Sequence, residues 1–371
     1  MSERKLASIQ VVTSTEPIPE RDRIELAHVL GWQVIVKKDE FKSGDLCIFV
    51  EPDALMPERP EFEFLRPKKF RIKTMKMAGV LSQGICFPVS IMPCDGKTYS
   101  IGDDVTDVLG IVKYDEYGEK EEQEKEDKRV TKKYPSWLMR WAWFRKLVLP
   151  SKRKQRGFPS FISKTDEVRI QNIPQVLEDK RRYCVTEKVD GCSLTAVLTK
   201  TRTWYGKRTY EFILCSRTLR LWHDDNNHYW KASKRYDLPE KLKTLLEFYE
   251  SVENTKIDWI AIQGECIGPK IQGNVYKLNE VDLMVFNVIT PNGRLHPIDT
   301  QSICVIHGLK PVPLLADNFT LPDTVNEMLD MATGESVVTK GVMREGLVLR
   351  SYDGEISFKA VSPDYLIKHG L

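Results

Sequence analysis

Short runs of apolar and β-branched residues, separated by turn-forming residues, make up the first hundred positions of the chain. The turn signals include Pro17-Ile18-Pro19, Ser43-Gly44-Asp45 and Glu51-Pro52-Asp53. Many short strands with this punctuation are typical of a small β-barrel or sandwich. We predict strands at Ile9–Thr13, Trp32–Lys37, Leu46–Val50, Phe70–Met75 and Leu81–Phe87.

A basic run lies within this region and partly on one of the predicted strands. Its members are Arg66, Lys68, Lys69, Arg71, Lys73 and Lys76. A solvated strand face explains the run, and so does a face that follows a phosphate backbone, as in barrels of the OB type. The sequence leaves both explanations open.

The middle of the chain changes composition twice. Residues 113–133 carry charges of both signs with almost no apolar content, which indicates a linker or the solvated part of a helix. Apolar residues then recur at helical spacing, at Trp137, Leu138, Trp141, Phe144 and Val148. Positions 140–156 hold seven basic residues and no acidic one. This predicted helix packs its aromatic stripe on a domain, with or without a basic flank that contacts nucleic acid, or else it adsorbs to a membrane surface.

From about residue 163 the pattern is dense in candidate strands, with one clear amphipathic helix predicted at Pro239–Ser251. We therefore predict an α+β protein with an N-terminal OB-like β-barrel domain and a C-terminal domain built on antiparallel sheet. The predicted divisions are 1–112, a linker with the basic helix at 113–160, and 161–371.

Composition constrains the number of domains, the kind of partner and the state of the cysteines. A chain of 371 residues suits two domains, and its net charge of +3 means that any nucleic-acid partner depends on local clusters. The eight cysteines form no C-x-x-C pair, which favours reduced thiols in an intracellular protein. Neither a signal-peptide core nor an apolar run of membrane-spanning length is present, so we expect no membrane partner.

The first candidate for chemistry is Lys188-Val189-Asp190-Gly191, a tight turn between the strand-like runs Tyr183–Thr186 and Ser193–Thr199. K-x-D-G alone is a weak signal, because an isolated lysine is ordinarily a solvated charge. Further segments follow it in order: Cys215–Thr218, Gln263–Pro269, Val285–Val288, Arg344–Arg350 and Ser357–Lys359.

In this collinear order the segments resemble the covalent nucleotidyltransferase superfamily of ligases and capping enzymes. They are most similar to the ATP-dependent RNA ligases that pair an N-terminal OB module with a C-terminal nucleotidyltransferase domain, sometimes called the fifth RNA ligase class. The stretch Lys164–Asn172 resembles one that is characteristic of RNA rather than DNA ligases. The resemblance covers residues 160–371 strongly and the N-terminal part more loosely. It implies that RNA 5′-phosphate and 3′-OH ends are sealed through a lysyl-AMP and an RNA-adenylate.

Attack on the α-phosphate of ATP requires a neutral lysine, whose free pKa is about 10.4. A bound Mg²⁺ or Mn²⁺ beside Lys188 would lower that pKa and neutralise phosphate charge. Such ions keep several waters, so Glu265 and Glu345 are the natural carboxylates to hold one through water.

The resemblance also implies roles for other residues. Phe286 would stack on adenine, Glu187 would read the adenine edge, and Arg217 would hold the ribose or the phosphates. Lys359 would contact the α-phosphate, and Asp190 and Gly191 would complete the nucleotide site. Lys164 and Arg169 would contact the nucleotide or the RNA 5′-phosphate, or else pair with local carboxylates. A plain core position for Phe286 and a surface ion pair for Arg217 are alternative interpretations.

Three other functions stay open from sequence: a DNA ligase, an mRNA-capping guanylyltransferase, and an inactive nucleic-acid-binding relative. Capping enzymes usually carry a C-terminal OB domain, whereas nothing of domain size follows Lys359. The expected partner is RNA with a 5′-phosphate and a 3′-OH, in a duplex nick, and the expected state is a monomer.

Two features depart from the family pattern. The final family motif usually carries two lysines spaced i, i+2, but only Lys359 is present here, and Arg350, Lys340 and Lys368 are the candidate replacements. The second feature is the hairpin around Asp353-Gly354, in which Val348 should face Lys359. A regular strand back to Glu345 would point that carboxylate away from Lys359. We therefore predict a bulge, a three-residue turn, or an irregular first strand.

Overall fold

A computed structural model describes residues 4–93, 96–114, 141, 157–202 and 205–371. The N-terminal module, residues 4–114, is built on strands such as Trp32–Lys37, in which buried residues alternate with more exposed ones. Its strands are β1 (Ala7–Pro17), β2 (Ile24–Val29), β3 (Trp32–Lys37), β4 (Leu46–Val50), β5 (Ala54–Leu55), β6 (Thr74–Met77), β7 (Val80–Gln83), β8 (Ile85–Pro88) and β9 (Val112–Lys113). Helical turns lie at Pro60–Lys68, Val89–Ile91 and α1 (Thr106–Leu109).

The long first strand joins two halves of a curled sheet. Its N-terminal half pairs with β4 and its C-terminal half pairs with β2, with a register shift between Val12 and Ser14. The sheet order is β3-β2-β1-β4-β8, with small ladders β5-β9 and β6-β7 beside it. Such a shift increases local twist and bends the strand, which lets one sheet wrap around the module's core.

Two sequence predictions in this module are wrong. Phe70–Met75 is not one strand, because Lys69 and Phe70 are left-handed after the Pro60–Lys68 turn and β6 begins only at Thr74. The predicted strand Leu81–Phe87 is divided into β7 and β8. It breaks at Gly84, which has φ 91° and where a Cβ would lie 2.5 Å from the carbonyl oxygen of Val50. The basic run at 66–76 therefore does not follow one strand face.

The C-terminal module, from residue 157 onward, contains two sheets backed by helices. The strands are β10 (Val168–Arg169), β11 (Tyr183–Lys188), β12 (Cys192–Arg202), β13 (Arg208–Cys215), β14 (Trp259–Ile267), β15 (Asp282–Thr290), β16 (Gly293–Arg294), β17 (Leu314–Phe319), β18 (Gly346–Ser351) and β19 (Ser357–Val361). The helices are α2 (His228–Tyr236), α3 (Leu238–Glu253), α4 (Pro297–Ile306), α5 (Val325–Ala332) and α6 (Pro363–His369), with 3₁₀ turns at Ile170–Asn172, Pro174–Glu178 and Gln272–Asn274.

The sheet orders are β10-β19-β18-β11-β17 and β13-β12-β14-β15-β16. Neighbouring strands are antiparallel except for the short parallel pair β10–β19. Helices α2 and α3 cover the back of the second sheet, and α5 packs on the back of the first. This arrangement leaves the inner faces of the two sheets on either side of a cavity, and it confirms the predicted α+β class.

Helix α3 shows why the periodicity predicted it well. Leu238, Leu242, Leu245, Leu246 and Tyr249 lie on one buried face, and Pro239 stands in the first turn, where a missing N–H has no cost. The observed helix extends the predicted Pro239–Ser251 by one residue at one end and two at the other. Helix α2 was not predicted; Asn227 caps it by accepting from the Tyr229 N–H.

The two modules meet through a buried network of ion pairs and hydrogen bonds. Asp53 of the N-terminal module accepts from Arg4 and Arg169, at 3.3 and 3.0 Å. Glu51 accepts from Arg4 and from Asn172, whose amide oxygen in turn accepts from the Trp32 indole N–H at 2.6 Å. Burial raises the pKa of Asp53, but the charges of Arg169 and Arg4 outweigh it and hold the pKa well below its usual range. The ionised carboxylate therefore holds the junction together.

Asp53→Asn should destabilise the protein, because it leaves two largely buried guanidinium groups without their shared counter-charge. We expect the free energy of unfolding to fall by about 3 kcal/mol, the usual result of breaking a buried pair. Urea denaturation measures this. Arg66→Met removes an exposed pair with Glu63 and serves as the control, expected to unfold near the wild-type midpoint. Equal midpoints for all three proteins would contradict a structural role for the junction.

The mixed-charge block and the predicted aromatic helix at 137–148 lie outside the described residues, apart from the first two positions of the block and the exposed Trp141. Those two positions, Lys113 and Tyr114, belong to the N-terminal module, since β9 pairs with β5 and the Tyr114 N–H donates to the Asp53 carbonyl. None of the helices in the described ranges is both long and apolar enough to cross a bilayer.

Candidate active site

Lys188 stands at the end of β11, where this strand pairs with the first residue of β18. Its ammonium group donates to the Glu345 carboxylate at 2.6 Å. Two glycines make the close approach of the strands possible: a Cβ on Gly191 would lie 2.2 Å from the Cys266 carbonyl oxygen, and one on Gly346 would lie 2.2 Å from that of Ala360. Any larger residue at either position would push the lysine and its carboxylates apart.

Glu265 approaches the same lysine from β14 and accepts from the Ser193 hydroxyl at 3.3 Å. Burial raises its pKa to about 8, with the Glu345 charge adding to the rise and the Lys188 charge opposing it. For Lys188, burial lowers the pKa, but the charges of Glu345 and Glu265 outweigh burial and leave the pKa above its ordinary value. The pocket around Lys188 therefore has more negative than positive charge.

This surplus of negative charge fits a divalent cation. Glu265, Glu345 and Asp190 all act electrostatically on one ammonium group. Within the described ranges no three His, Cys, Asp or Glu side chains are arranged as a direct ligand set. A hydrated Mg²⁺ or Mn²⁺, which takes few direct carboxylates, suits two carboxylates that bind through water.

The hairpin of β18 and β19 explains how Glu345 reaches Lys188. Val348 pairs with Lys359, as predicted, and β18 begins at Gly346, so Glu345 precedes the regular strand. Its carbonyl still accepts from the Ser362 N–H at 2.9 Å, whereas its carboxylate turns to Lys188. Of the three predicted alternatives, the structure has the irregular start of the first strand. Because Glu345 lies outside the regular strand, its carboxylate need not point away from the site.

At another part of the site, three positively charged side chains surround Asp166. It accepts from Lys359 at 3.0 Å and from Arg217 at 2.5 Å, and Lys113 of the N-terminal module lies 3.9 Å away. Burial lowers the pKa of Lys359 to about 8 against the opposing charge of Asp166. One carboxylate does not balance three cations, so this cluster is suited to phosphate.

Lys113 is a further candidate to replace the second lysine that the final motif lacks. Of the candidates from sequence, Arg350 is among the described residues that line the cavity, whereas Lys340 and Lys368 are not. Lys113 is not a lining residue either, and its link to the site is the 3.9 Å approach to Asp166, which does line the cavity. The Arg350 guanidinium already donates to the Phe286 carbonyl at 3.0 Å and to Glu167 at 3.3 Å. The place of Lys113 beside Asp166 depends on how the two modules dock, and the residues around Lys113 in the sequence carry no signal of that docking.

A cavity of about 470 Å³ opens between the two sheets, and its lining includes Lys188, Glu265, Asp166, Arg217 and Lys359. Phe286 lies on its wall in a β-bulge, because Gln263 pairs with Asn287 and Gly264 pairs with Val285, which leaves Phe286 as the extra residue. The bulge lets two consecutive side chains, Phe286 and Asn287, line the cavity between the core residues Val285 and Val288. Val348 and Thr186 line the cavity from the other sheet.

The remaining predicted residues divide into two groups. Lys164, Asp190 and Arg217 line the cavity; Asp190 accepts from the Tyr365 hydroxyl at 2.7 Å. Glu187 also borders it, but its carboxylate accepts from the Ser336 hydroxyl and, at 2.8 Å, from the Val337 N–H. Arg169 is not among the described lining residues and pairs with Asp53 in the junction, the carboxylate alternative of the sequence analysis. Their contacts with a nucleotide stay predictions.

Comparisons with known proteins agree with this geometry. An OB-fold domain model matches residues 6–89 and an RNA ligase model matches residues 181–362, whereas no curated protein matches the chain. Among solved structures, an RNA ligase of Naegleria gruberi with pyrophosphate is 33% identical, with 99% of each chain covered and a TM-score of 0.77. A mutant of that ligase with ATP and Mn is 33% identical, with 99% of this chain and 100% of that chain covered and a TM-score of 0.77. Another mutant, with AMP and Mn, is 33% identical at 99% coverage of both chains and a TM-score of 0.76. This chain, with its N-terminal OB module, therefore belongs to the RNA ligase family.

Proposed function

We propose that the protein is an ATP-dependent RNA ligase that joins 5′-phosphate and 3′-OH ends through an AMP carried on Lys188. The observation that carries this proposal is the placement of Lys188 against Glu345 and beside Glu265, in a cavity that Phe286 and Lys359 also line. The related Naegleria gruberi ligase has been solved with ATP, with AMP and with Mn, which supports the same nucleotide and metal here.

In the first step the Lys188 Nζ attacks the α-phosphorus of ATP. The Nζ–P bond forms, the bond from the α-phosphorus to the bridging oxygen breaks, and pyrophosphate leaves. Glu345 Oε2, 2.6 Å from Nζ, is placed to take the ammonium proton. A divalent cation, when bound, lowers the Lys188 pKa and neutralises charge on the α-phosphate.

In the second step an oxygen of the RNA 5′-phosphate attacks the AMP phosphorus, the Nζ–P bond breaks, and a 5′–5′ pyrophosphate forms. In the third step the 3′-OH attacks the activated 5′-phosphate, loses its proton, and AMP leaves. Lys359, Arg217 and Lys113 surround Asp166 and can neutralise phosphate charge during these transfers. Positioning and charge neutralisation account for most of the catalysis in such reactions.

We also propose that Phe286 stacks on adenine opposite Val348, and that Glu265 and Glu345 hold the cation through water. The expected substrate is a nick in a duplex and the expected state is a monomer. The cysteines in the described ranges are free thiols, which supports an intracellular location.

Label transfer tests the proposal directly. With α-labelled ATP and Mg²⁺ or Mn²⁺, label should remain on the denatured protein, and the yield with GTP should be much lower. Nicked duplexes with RNA or DNA on the 3′-OH side then separate an RNA ligase from a DNA ligase. Absence of label under every metal condition would overturn the proposal, and sealing only of DNA nicks would overturn the choice of substrate.

Lys359 gives the reaction a predicted alkaline limit. The charged ammonium is the useful form, and because the pKa is lowered to about 8, this form is lost as pH rises through that value. Lys359→Arg replaces it with a guanidinium, which stays charged up to about pH 12. The alkaline limb of kcat/KM for label transfer should therefore move upward by at least about one pH unit.

The matched variant is Lys113→Arg, since burial and the Arg217 charge lower the pKa of Lys113 to about 8 as well. Rates of label transfer between pH 6.5 and 9.5 distinguish the two lysines. An alkaline limb that moves with Lys113→Arg but not with Lys359→Arg would assign the titration to the N-terminal module instead.

A further inference from the structure

Two buried amide side chains lie side by side in the wall of the nucleotide cavity, on neighbouring strands. Gln263 of β14 and Asn287 of β15 are 2% and 5% exposed, and both line the cavity. They face each other in the sheet register next to the bulge at Phe286. Polar residues are costly in such a position unless their hydrogen bonds are satisfied, so their partners define what the wall can bind.

The direction of the hydrogen bonds in this pair is fixed by the backbone. Gln263 Nε2 donates to the carbonyl oxygen of Ser163 at 2.9 Å, and a carbonyl oxygen can only accept. The other end of the Gln263 amide, Oε1, therefore points to Asn287 and accepts from its Nδ2 at 2.7 Å. Flipping either amide would bring two acceptors or two donors together, so Asn287 must present its oxygen on the remaining side.

That remaining oxygen has no partner in the described part of the chain. Asn287 Oδ1 is buried and accepts no hydrogen bond there. A buried acceptor without a donor is unfavourable in a folded protein, so its position calls for an explanation. Since the side chain lines the cavity, a ligand with an N–H or O–H group can satisfy it.

We infer that Asn287 Oδ1 accepts a hydrogen bond from the 6-amino group of adenine and thereby selects ATP over GTP. The inference rests on the proposed function, because it takes ATP as the nucleotide in the cavity. Adenine carries a donor at position 6, whereas guanine carries a carbonyl oxygen there, which would face Oδ1 acceptor to acceptor. Discrimination is strong when a site is built to bond a group that the competitor lacks.

One observation favours the base over the ribose as the donor, and a second favours Asn287 over Glu187 as the acceptor. Asn287 directly follows Phe286, the ring proposed to stack on adenine, so its amide lies at the edge of the stacked base. Glu187, the other candidate for reading that edge, already accepts from the Ser336 hydroxyl and the Val337 N–H. Asn287 Oδ1, by contrast, still needs a donor.

The test compares nucleotides that differ by one group. Intact-mass spectrometry follows attachment of the monophosphate to the full-length protein from ATP, from purine riboside triphosphate, which lacks the 6-amino group, from GTP and from 2′-deoxy-ATP. The wild type should react at least about tenfold faster with ATP than with purine riboside triphosphate. In Asn287→Leu that preference should shrink to about threefold or less, while the penalty for 2′-deoxy-ATP stays as in the wild type.

A second variant tests the direction of the amide chain. Gln263→Leu removes the group that orients Asn287, so its amide can rotate and offer Nδ2 to the guanine oxygen. The ratio of GTP to ATP rates should rise at least about fivefold. Thr300→Val, which removes an unpartnered buried hydroxyl on α4 away from the cavity, is the control and should keep the wild-type ratios.

The outcomes separate the inference from the proposed function. If the wild type takes up no nucleotide, the ligase proposal fails. If it takes up AMP and Asn287→Leu retains the full 6-amino preference, only the inference fails. A variant that instead loses the 2′-deoxy penalty would show that Oδ1 binds the ribose and would also overturn it.

Discussion

Lys188→Ala should abolish attachment of AMP to the protein, a loss of at least about a thousandfold, because the attacking nitrogen itself is gone. The same variant should still join a substrate that already carries the 5′–5′ pyrophosphate. In that last step the nucleophile is the RNA 3′-OH, and the groups around Asp166 remain in place. Sealing of RNA and of pre-adenylated RNA, measured side by side, gives both results.

The control for this variant is Lys200→Ala on β12, which removes a lysine paired with Glu250 outside the cavity lining. It should retain both activities. Label that still joins Lys188→Ala would place the covalent AMP on another residue. Failure of Lys188→Ala with the pre-adenylated substrate would show that the amine has a further role in the last step.

Glu345→Gln should slow the first step by about a hundredfold to ten-thousandfold, the usual range for loss of a positioned proton acceptor. The amide keeps the volume and the contact with Nζ but cannot take a proton, and it removes one of the charges proposed to hold the cation. Single-turnover rates of AMP attachment at a series of Mn²⁺ concentrations measure the effect. Metal affinity and rate should both fall.

The matched control is Glu335→Gln, in the loop before β18, whose exposed carboxylate accepts from the Gly341 N–H. Its rates should stay close to those of the wild type. A Glu345→Gln enzyme with unchanged metal affinity and rate would remove Glu345 from the mechanism, and the contact with Lys188 would then be a resting-state ion pair only.

Local pattern predicted those elements whose burial repeats within a few residues. Trp32–Lys37 and Leu46–Val50 are strands with the predicted bounds, and α3 differs from its prediction by one or two residues at each end. Gly84 divides the run Leu81–Phe87 at a positive φ, beside the carbonyl oxygen of Val50, which belongs to a strand distant in the sequence. Periodicity within one run does not report such a contact.

The residues of the candidate site also divide into those that the sequence indicates and those whose roles depend on distant contacts. The segments around Lys188, Glu265 and Lys359 are recognisable because they follow one another in the order of a known family, although each alone is a weak signal. Asn287 and Gln263 had a weaker signal, a polar residue inside an otherwise apolar strand, and their significance depends on a bond across the sheet. Lys113 and Arg169 take their places only when the two modules dock, so their partners were not predictable from neighbours in the sequence.

Within seven residues, the segment 166–172 joins the cluster of cations around Asp166 to the junction between the two modules. Asp166 binds Lys359 and Arg217, β10 adds alongside β19, and Asn172 binds Glu51 of the other module. A ligand that takes the place of Asp166 as the partner of Lys359 and Arg217 would therefore act on the same short piece of chain that anchors the OB module. Because a ligand that binds only the folded state stabilises it, we expect saturating ATP to slow amide hydrogen exchange in β4 as well as around Lys188.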